Sequence, residues 1–539
     1  MGDGDRGRLP RHPALDGDLR GQRGARPRHP AREGGRAGLP RPAGRDTSGR
    51  AAPPDRHPRL RPQRGHGGRP AAPRAPARRA GGDGRGGSFV LCFLSDTRDP
   101  VLAAAEDAAI AAFAAARAGA GRIPVRLRRR TDNAGFKAGN VMEFLDHHAA
   151  GLDLAVMLDA DSEMSAAAVL RLVAGMEADP RLALIQQLIV GRPAPRAFPR
   201  LFQFGMRAGM RTWATGQGWW QLDDGPYWGH NAVFRIAPFR AHARLAPLPD
   251  GSPILSHDMV EAVRLRAAGW KVRCLPAEDG SLEGNPPALP EFLARDVRWG
   301  AGNMQYRHLL FGPGLHAMGR WQLAQAILLF LCAPLWVVML VAAVANAVTG
   351  GGAATPMGAL AALLFLTWAC NAAPKLCGYA EVLAKPGLAA RYSGRAAFLR
   401  GAAAEVAFSL LAEPVSTVNK AIALAFLAFG RRATWAPQNR VDRGVAWRDA
   451  ARLLWPHTLL GVICLFALMS VSAAAALLSL PFLAGLALAV PLCVVTAAPG
   501  FSAMLVARGI AATPEEVGAG SRDVAARPVV ACQAGARQP

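Results

Sequence analysis

No two cysteines in this chain stand at metal-type spacing. The eight (92, 274, 332, 370, 377, 464, 493 and 532) include no Cys-x-x-Cys, and several lie inside apolar runs. That argues against a zinc ribbon or a disulfide framework and for reduced thiols. Acidic residues are scarce: 39 Asp and Glu stand against 63 Lys and Arg, a formal charge of +24. Lysine is absent from the first 87 residues, which carry about twenty Arg among Gly, Pro and Ala and show no apolar periodicity. About half of the charge excess sits there, and much of the rest flanks apolar runs, as the positive-inside rule expects. The charge therefore gives no reason to expect a nucleic-acid partner. No signal peptide is visible.

Residues 1–87 admit two readings. One is a disordered basic arm that touches nucleic acid or anionic lipid. The other is GC-rich DNA translated in the wrong frame up to about Gly87. The lack of Lys beside a Lys-containing remainder, and the abrupt change at Ser88, favour the second.

From Ser88 the pattern becomes that of an α/β domain, expected over 88–320. Phe89–Leu94 reads as a buried strand ending at Ser95-Asp96-Thr97, and an Ala-rich helix follows from Val101 to Ala118. Val125–Arg128 is a short strand, and a helix runs from about Ala138 to His148. Leu154–Leu158 is a further buried strand, followed by a helix over Ala166–Met176 and a strand over Leu182–Leu188. Phe198–Trp220 is aromatic, Met- and Gly-rich without a clean period. Trp228–Arg235 reads as a loop entering a strand. A helix then runs from about Ser256 to Ala268, Gly269 stops it, and Trp270–Leu275 is the next strand. Alternating strands and helices imply a mainly parallel sheet with helices on both faces.

The composition is 51% hydrophobic with a mean hydropathy of +0.12, high for a soluble enzyme, and the excess lies mostly after Trp321. About 20 apolar residues span a bilayer. Ala324–Val348, Pro356–Ala373, Thr458–Leu478 and Leu480–Ala498 meet that length. Ala402–Phe429 is interrupted by Glu405, Glu413, Pro414 and Lys420 and is flanked on both sides by basic residues. It is expected to lie in the interface or re-enter rather than cross. The helical membrane bundle is thus placed at 321–500, with a polar tail over 501–539.

The stretch that organises the chemistry is Leu154–Met164. Its apolar strand ends on Asp159-Ala160-Asp161, and ligands of α/β sheets bind just beyond the carboxyl ends of strands. Asp159 and Asp161 can share a divalent cation, Mg²⁺ or Mn²⁺, with substrate phosphates completing the shell. The plainer reading is a turn in which an Asp caps the next helix.

Five motifs in order, LSDTRDP (94–100), TDNAGFKAGN (131–140), LDADSEM (158–164), SHDMVEA (256–262) and RDVRWGAGNMQY (295–306), resemble the processive family-2 glycosyltransferases, the cellulose and hyaluronan synthase group. In detail they are closer to the subgroup that makes osmoregulated periplasmic glucans. The resemblance covers about 88 to 500. It implies a glycosyltransferase A-type, Rossmann-like cytoplasmic domain followed by an α-helical transmembrane bundle in the bacterial inner membrane. It also implies an inverting transfer from UDP-glucose to a growing β-glucan, with the lipid bilayer and periplasmic glucan-processing proteins as further partners. Cellulose- or chitin-type synthesis and a truncated, inactive relative are the alternatives.

The resemblance also implies site roles. Asp96 and Asp159 contact the nucleotide, and Asp161 with Asp159 holds the metal. Lys137 reaches uracil or phosphate, or is an ordinary surface lysine. Arg295 and Arg298 offer planar forks for phosphate oxygens, or anchor lipid headgroups. Asp258 is the expected general base, taking the proton of an acceptor hydroxyl on the face opposite the leaving diphosphate. Its bland reading is a capping box with Glu261, and the two are compatible. His257 is read as structural. Trp299 stacks on a sugar or sits at the membrane interface. Gly229, His230 and Asn231 correspond to a loop at the acceptor end.

Two departures stand out. Arg295 replaces the Gln usual in the family's Gln-x-x-Arg-Trp motif. Residues 1–87 stand where the family carries membrane helices and a first nucleotide-binding strand, so that strand is expected to be missing.

Overall fold

The computed structural model describes residues 69–75, 88–116, 123–430 and 444–519. Its strands are β1 (Arg69–Ala75), β2 (Leu91–Ser95), β3 (Val125–Arg129), β4 (Leu154–Met157), β5 (Glu163–Met164), β6 (Leu182–Gln187), β7 (Val190–Gly191), β8 (Ala232–Arg235), β9 (Lys271–Leu275) and β10 (Ser281–Glu283). The helices interleaved with them are α1 (Pro100–Ala115), α2 (Phe136–His147), α3 (Ala166–Ala178), α4 (Ala197–Gln221), α5 (Ile236–His242), α6 (Asp258–Ala267) and α7 (Leu289–Gln305).

Seven strands form one sheet in the order β3-β2-β1-β4-β8-β6-β9, and β5-β10-β7 form a small second sheet. β2 with β3 and β6 with β9 are parallel; β1 runs against β2 and β4, and β8 against β4 and β6. β2, β3, β4, β6 and β9 therefore share one direction, as expected, but the sheet is mixed because β1 and β8 are inserted in reverse. The consequence is functional. The carboxyl ends of five strands and the amino end of β8 all open on one edge.

The alternation of β4 divides the core. Leu154 and Val156 pack with Leu172, Val173 and Met176 of α3, while Ala155 and Met157 face Val141, Leu145 and Phe239 from α2 and α5. Gly269 does end α6, with φ +85°.

Residues 1–87 were expected to lack regular structure, and the first strand to be missing. The difference is β1, drawn from this stretch and paired on both sides, between β2 and β4. Its sequence, Arg-Pro-Ala-Ala-Pro-Arg-Ala, reads against a strand between two others, because Pro70 and Pro73 have no N–H to donate, and the register shifts between them. The remainder of that expectation lies outside the described residues.

The unperiodic Phe198–Trp220 stretch is also ordered. It belongs to α4, a 25-residue helix. Its burial departs from that of an ordinary amphipathic helix, since polar side chains are buried (Arg200, Gln203, Arg207, Gln217 and Gln221) while Trp213, Trp219 and Trp220 are exposed. Both ends of its outer half meet the membrane helices, Ala208 against Gly378 and Gln221 against Gln322.

Among the described residues, four helices are long and apolar enough to cross a membrane: α8 (Ala317–Val348), α9 (Met357–Ala384), α11 (Arg395–Ala428), which follows the short α10 (Pro386–Ala390), and α12 (Trp447–Val471). α13 (Ala473–Ala487) and α14 (Ala489–Ala497) form a pair bent by 58°, a broken span or a re-entrant loop. Of the expectation for Ala402–Phe429, the re-entrant alternative is corrected, since residues 402–428 lie within one continuous 34-residue helix. Glu405 and Lys420 are paired, which hydropathy alone could not register. Glu405, 1% exposed, accepts from Lys375 at 2.6 Å, from Tyr379 and from Ser409, and Lys420 stands 3.4 Å from Asp296. The expected span Leu480–Ala498 is instead broken at Leu488, between α13 and α14, and the expected span Thr458–Leu478 is divided at Ser472 between α12 and α13.

The expected polar tail is likewise corrected in part. α15 (Pro499–Ala507) and α16 (Pro514–Ala519) dock on α4 through ion pairs to buried arginines, Arg200 with Glu516 at 2.7 Å and Arg207 with Glu515 at 2.5 Å. A run of Thr-Pro-Glu-Glu looks solvated in sequence, and only the fold shows that its partners are inside.

Candidate functional site

The site forms where the strand ends meet. Asp159 follows β4, and its carboxylate is bound by Lys137 from the first turn of α2. The same ammonium donates to the carbonyl of Gly229 at 2.7 Å. Gly229 precedes β8 at φ +85°, and a Cβ built there would lie 3.3 Å from Oδ2 of Asp258. Four segments far apart in sequence (137, 159, 229 and 258) are thus linked through one lysine and one glycine. Gly229 is needed twice over, for its left-handed backbone and for the close approach of Asp258.

Asp258 is the first residue of α6, and no side chain caps that helix. The expected capping box does not form. Glu261 instead pairs with His257, 3.0 Å from its Nδ1, across one helical turn. Burial alone would lower the His257 pKa; Glu261 by charge and hydrogen bond, and Asp258 by charge, reverse the direction and raise it. Tyr227 reports the same field. Burial first, then the carboxylates of Glu261, Asp258 and Asp159, push its phenol well above the usual range.

Asp96 is buried and held by the fork of Arg130, whose Nε and Nη2 lie 2.5 and 3.0 Å from its two oxygens. Arg130 also donates to Asn133 Oδ1 and to the carbonyls of Ala134 and Phe136. The Asp96–Arg130 pair therefore shapes the loop that delivers Lys137.

His230 and Asn231, expected at the acceptor end, have different surroundings. Asn231 adopts φ +50° and donates to Ser281 Oγ at 2.9 Å. His230 faces Ser162 Oγ at 3.3 Å and Glu283 at 3.6 Å. Asp159, His230 and Glu283 bring one ligand atom each to within 4.8 Å of one another, the group among the described residues that could hold a metal ion. Asp161, expected beside Asp159 in that role, is not a member of it. Its buried carboxylate lies along Gly284 and Arg192, next to the Glu283 main chain. Two carboxylates and an imidazole suit Mn²⁺ or a later divalent ion better than Mg²⁺, which prefers oxygen alone.

Arg295, Arg298 and Trp299 share α7. The Arg295 guanidinium lies 4.5 Å from the Trp299 ring centroid, 5.4 Å from Phe292 and 5.7 Å from Phe202. Burial lowers its pKa, opposed by the charges of Asp296 and Glu283, which places it in the field of the ion-binding group. Arg298 is half-buried and Trp299 46% exposed. Asp296 anchors the helix to α11, accepting from Ser416 at 2.8 Å.

Sequence reasoning missed Arg130, Tyr227, Glu283 and Asp296, and gave Glu261 a capping role where it pairs with His257. Asp296 lies inside the motif RDVRWGAGNMQY and was open to notice. Glu283 lies in a Gly-Ser-Leu-Glu-Gly-Asn run whose only signal is turn composition.

Residues 154–373 match the family described as glycosyl transferase family group 2. Three curated relatives, each called glucans biosynthesis glucosyltransferase H, come from Bradyrhizobium diazoefficiens, Vibrio cholerae and Xylella fastidiosa. The first is 34% identical over 80% of this chain and 59% of its own length. The second is 32% identical over 80% and 62%, and the third 32% identical over 79% and 70%. The chain belongs to this family, the glucans biosynthesis glucosyltransferase H proteins of glycosyl transferase family group 2. It spans about three fifths of the length of the first of these relatives.

Proposed function

We propose that this chain is a membrane-bound, inverting glucosyltransferase that uses UDP-glucose to extend a β-glucan. The α/β unit is its glycosyltransferase A-type catalytic domain, on the cytoplasmic side of a bacterial inner membrane. Family membership supports the reaction class, and the relatives' printed name supports glucose as the sugar. The observation that carries the reading is the single linkage of Asp159, Lys137, Gly229 and Asp258 at the carboxyl edge of the sheet.

In the proposed step an acceptor hydroxyl oxygen attacks the anomeric carbon as the bond to the diphosphate oxygen breaks. Asp258 takes the hydroxyl proton. Its carboxylate is free of helix-capping duty, which suits that role. One displacement inverts configuration, so an α-linked donor gives a β-linked product. Lys137 and the guanidinium groups of Arg295 and Arg298 offset charge on the diphosphate, in surroundings where burial strengthens each contact. Asp159, His230 and Glu283 would hold the divalent ion, which when bound supplies further charge stabilisation to the leaving group. Trp299 offers a stacking face to the acceptor.

Membrane vesicles carrying the chain, given radiolabelled UDP-glucose or UDP-N-acetylglucosamine, test the reading. Glucose incorporation into a β-linked polymer supports it; exclusive use of the amino sugar refutes the donor assignment. Asp258→Asn is expected to lower turnover by about two to four orders of magnitude, the range for loss of a general base, with UDP affinity nearly unchanged. Equal loss of UDP affinity would show that the base is misassigned.

A further inference from the structure

Arg207 lies in the middle of α4 with its side chain 1% exposed. Its fork is fully used. Nη1 and Nη2 meet the two oxygens of Glu515 at 2.5 and 3.0 Å, and Nε meets Glu278 Oε2 at 3.0 Å. Two helical turns earlier, Arg200 pairs with Glu516 at 2.7 Å and donates to the carbonyl of Ile510 at 2.6 Å. Glu516 accepts from the Ala194 main chain at 3.3 Å, and Ser502 from that of Ala197 at 3.0 Å. Residues 499–519 are thus fastened along one face of α4.

The other carboxylate on Arg207 belongs to the loop between β9 and β10. That loop is gripped from both sides. Arg391, between α10 and α11, bonds Glu278 at 2.9 Å and Asp279 at 3.1 Å. Gln187, at the end of β6, donates to the carbonyls of Ala277 and Asp279, each at 3.1 Å. The loop then enters β10 through Ser281, which receives Asn231, and delivers Glu283 to the ion-binding group.

Buried ion pairs are weak contributors to stability, because an apolar pair of similar volume often does as well or better; their best-attested use is to fix register. Here two arginines two turns apart match two adjacent glutamates and admit one register of 499–519 on α4. We infer that this segment is a strap whose grip on Arg207 sets the β9–β10 loop, which makes Arg207 a positioning residue for Glu283 and the ion-binding group. The inference rests on the proposed role of that group.

The test is Mn²⁺ affinity of the full chain in detergent or nanodiscs, read from the electron paramagnetic resonance signal of free Mn²⁺, alongside thermal unfolding. Glu515→Gln removes the strap's charge from Arg207. Glu278→Gln leaves strap and arginine paired but weakens the loop's links to Arg207, Arg391 and Arg211 together, so Arg391→Gln, which spares Arg207, is measured beside it and is expected to change Mn²⁺ affinity less. Glu515→Gln and Glu278→Gln are each expected to weaken Mn²⁺ binding about tenfold, the lower end for loss of a group that orients a ligand. The double variant is expected to be no weaker than either single one. If Glu515→Gln does not fold, Glu515→Asp, which keeps the charge but shortens its reach to Arg207, carries the test. A lowered unfolding temperature with Mn²⁺ affinity within about twofold of wild type would mean that the contacts are only structural, and overturns the inference. Wild-type chain that binds no Mn²⁺, with or without UDP, would instead sink the ion-binding reading on which it rests.

Discussion

Gly229→Ala separates the architecture of the site from the stability of the fold. The substitution has two effects. At φ +85° an L side chain costs about 1–2 kcal/mol of backbone strain. The new methyl would also stand 3.3 Å from Asp258 Oδ2 and 3.5 Å from its Cβ and Cγ. Ordinary contact needs a few tenths of an ångström more, so the carboxylate must yield. Displacement of a reacting group by about 1 Å can cost roughly a hundredfold in rate, and a fraction of that shift places the expected loss of turnover near tenfold. Gly251→Ala is the control. Gly251 has φ +76° with nothing within 4 Å of a built Cβ, so it carries the strain without the contact. Both variants are expected to unfold at similarly lowered temperatures, while Gly229→Ala alone loses turnover in a UDP-glucose assay, with a smaller change in donor KM. If the two match in both measurements, or if Gly229→Ala keeps full turnover, the placement of Asp258 against this glycine is irrelevant to catalysis.

His257 supplies a pH signature. Its folded pKa is raised, so the stability it adds is fully present below the unfolded value of about 6.5 and is lost as pH rises through the folded value. Glu261→Gln should flatten that part of the unfolding-temperature profile; an unaltered profile would mean that the pair carries no linkage. Asp296→Ala should destabilise the seat of α7 on α11 by about 2 kcal/mol, less than the ~3–5 of a fully buried pair because Lys420 is 23% exposed. Adding Lys420→Met should recover part of the loss, and thermal unfolding of the two variants decides. Gly191→Ala would set a methyl 2.4 Å from Asn285 Nδ2 and 2.5 Å from Gln203 Cβ, and should lower the yield of folded protein without a specific effect on nucleotide affinity.

How far the chain could be read depended on whether a residue's partners are local. The strands at β2, β4, β6 and β9 declared themselves by apolar runs between turns, and the five motifs by residue order. α4 did not, because its arginines and glutamines are turned inward and its tryptophans outward, and the arginines are neutralised by Glu278, Glu515 and Glu516, from 71 to 316 positions further along the chain. Ala402–Phe429 failed for the same reason: Glu405 and Lys420 read as interruptions until Lys375 and Asp296 are beside them. Asp159-Ala160-Asp161 looked like one bidentate site because the two acids are neighbours in sequence. The chain turns over Ala160 and Asp161, with the Ser162 N–H bonded to the Asp159 carbonyl at 3.0 Å, and the ion-binding group draws its other members from the loop before β8 and from β10.

The sequence by itself determined the α/β class, the membrane-capable helices and the residue types the chemistry needs, since periodicity, length and motif order are written in neighbouring residues. Tertiary structure alone decided which charges are paired, which helix is continuous, and which three side chains converge near Asp159. Those outcomes depend on distances between residues tens to hundreds of positions apart, and such distances exist only once the chain has folded.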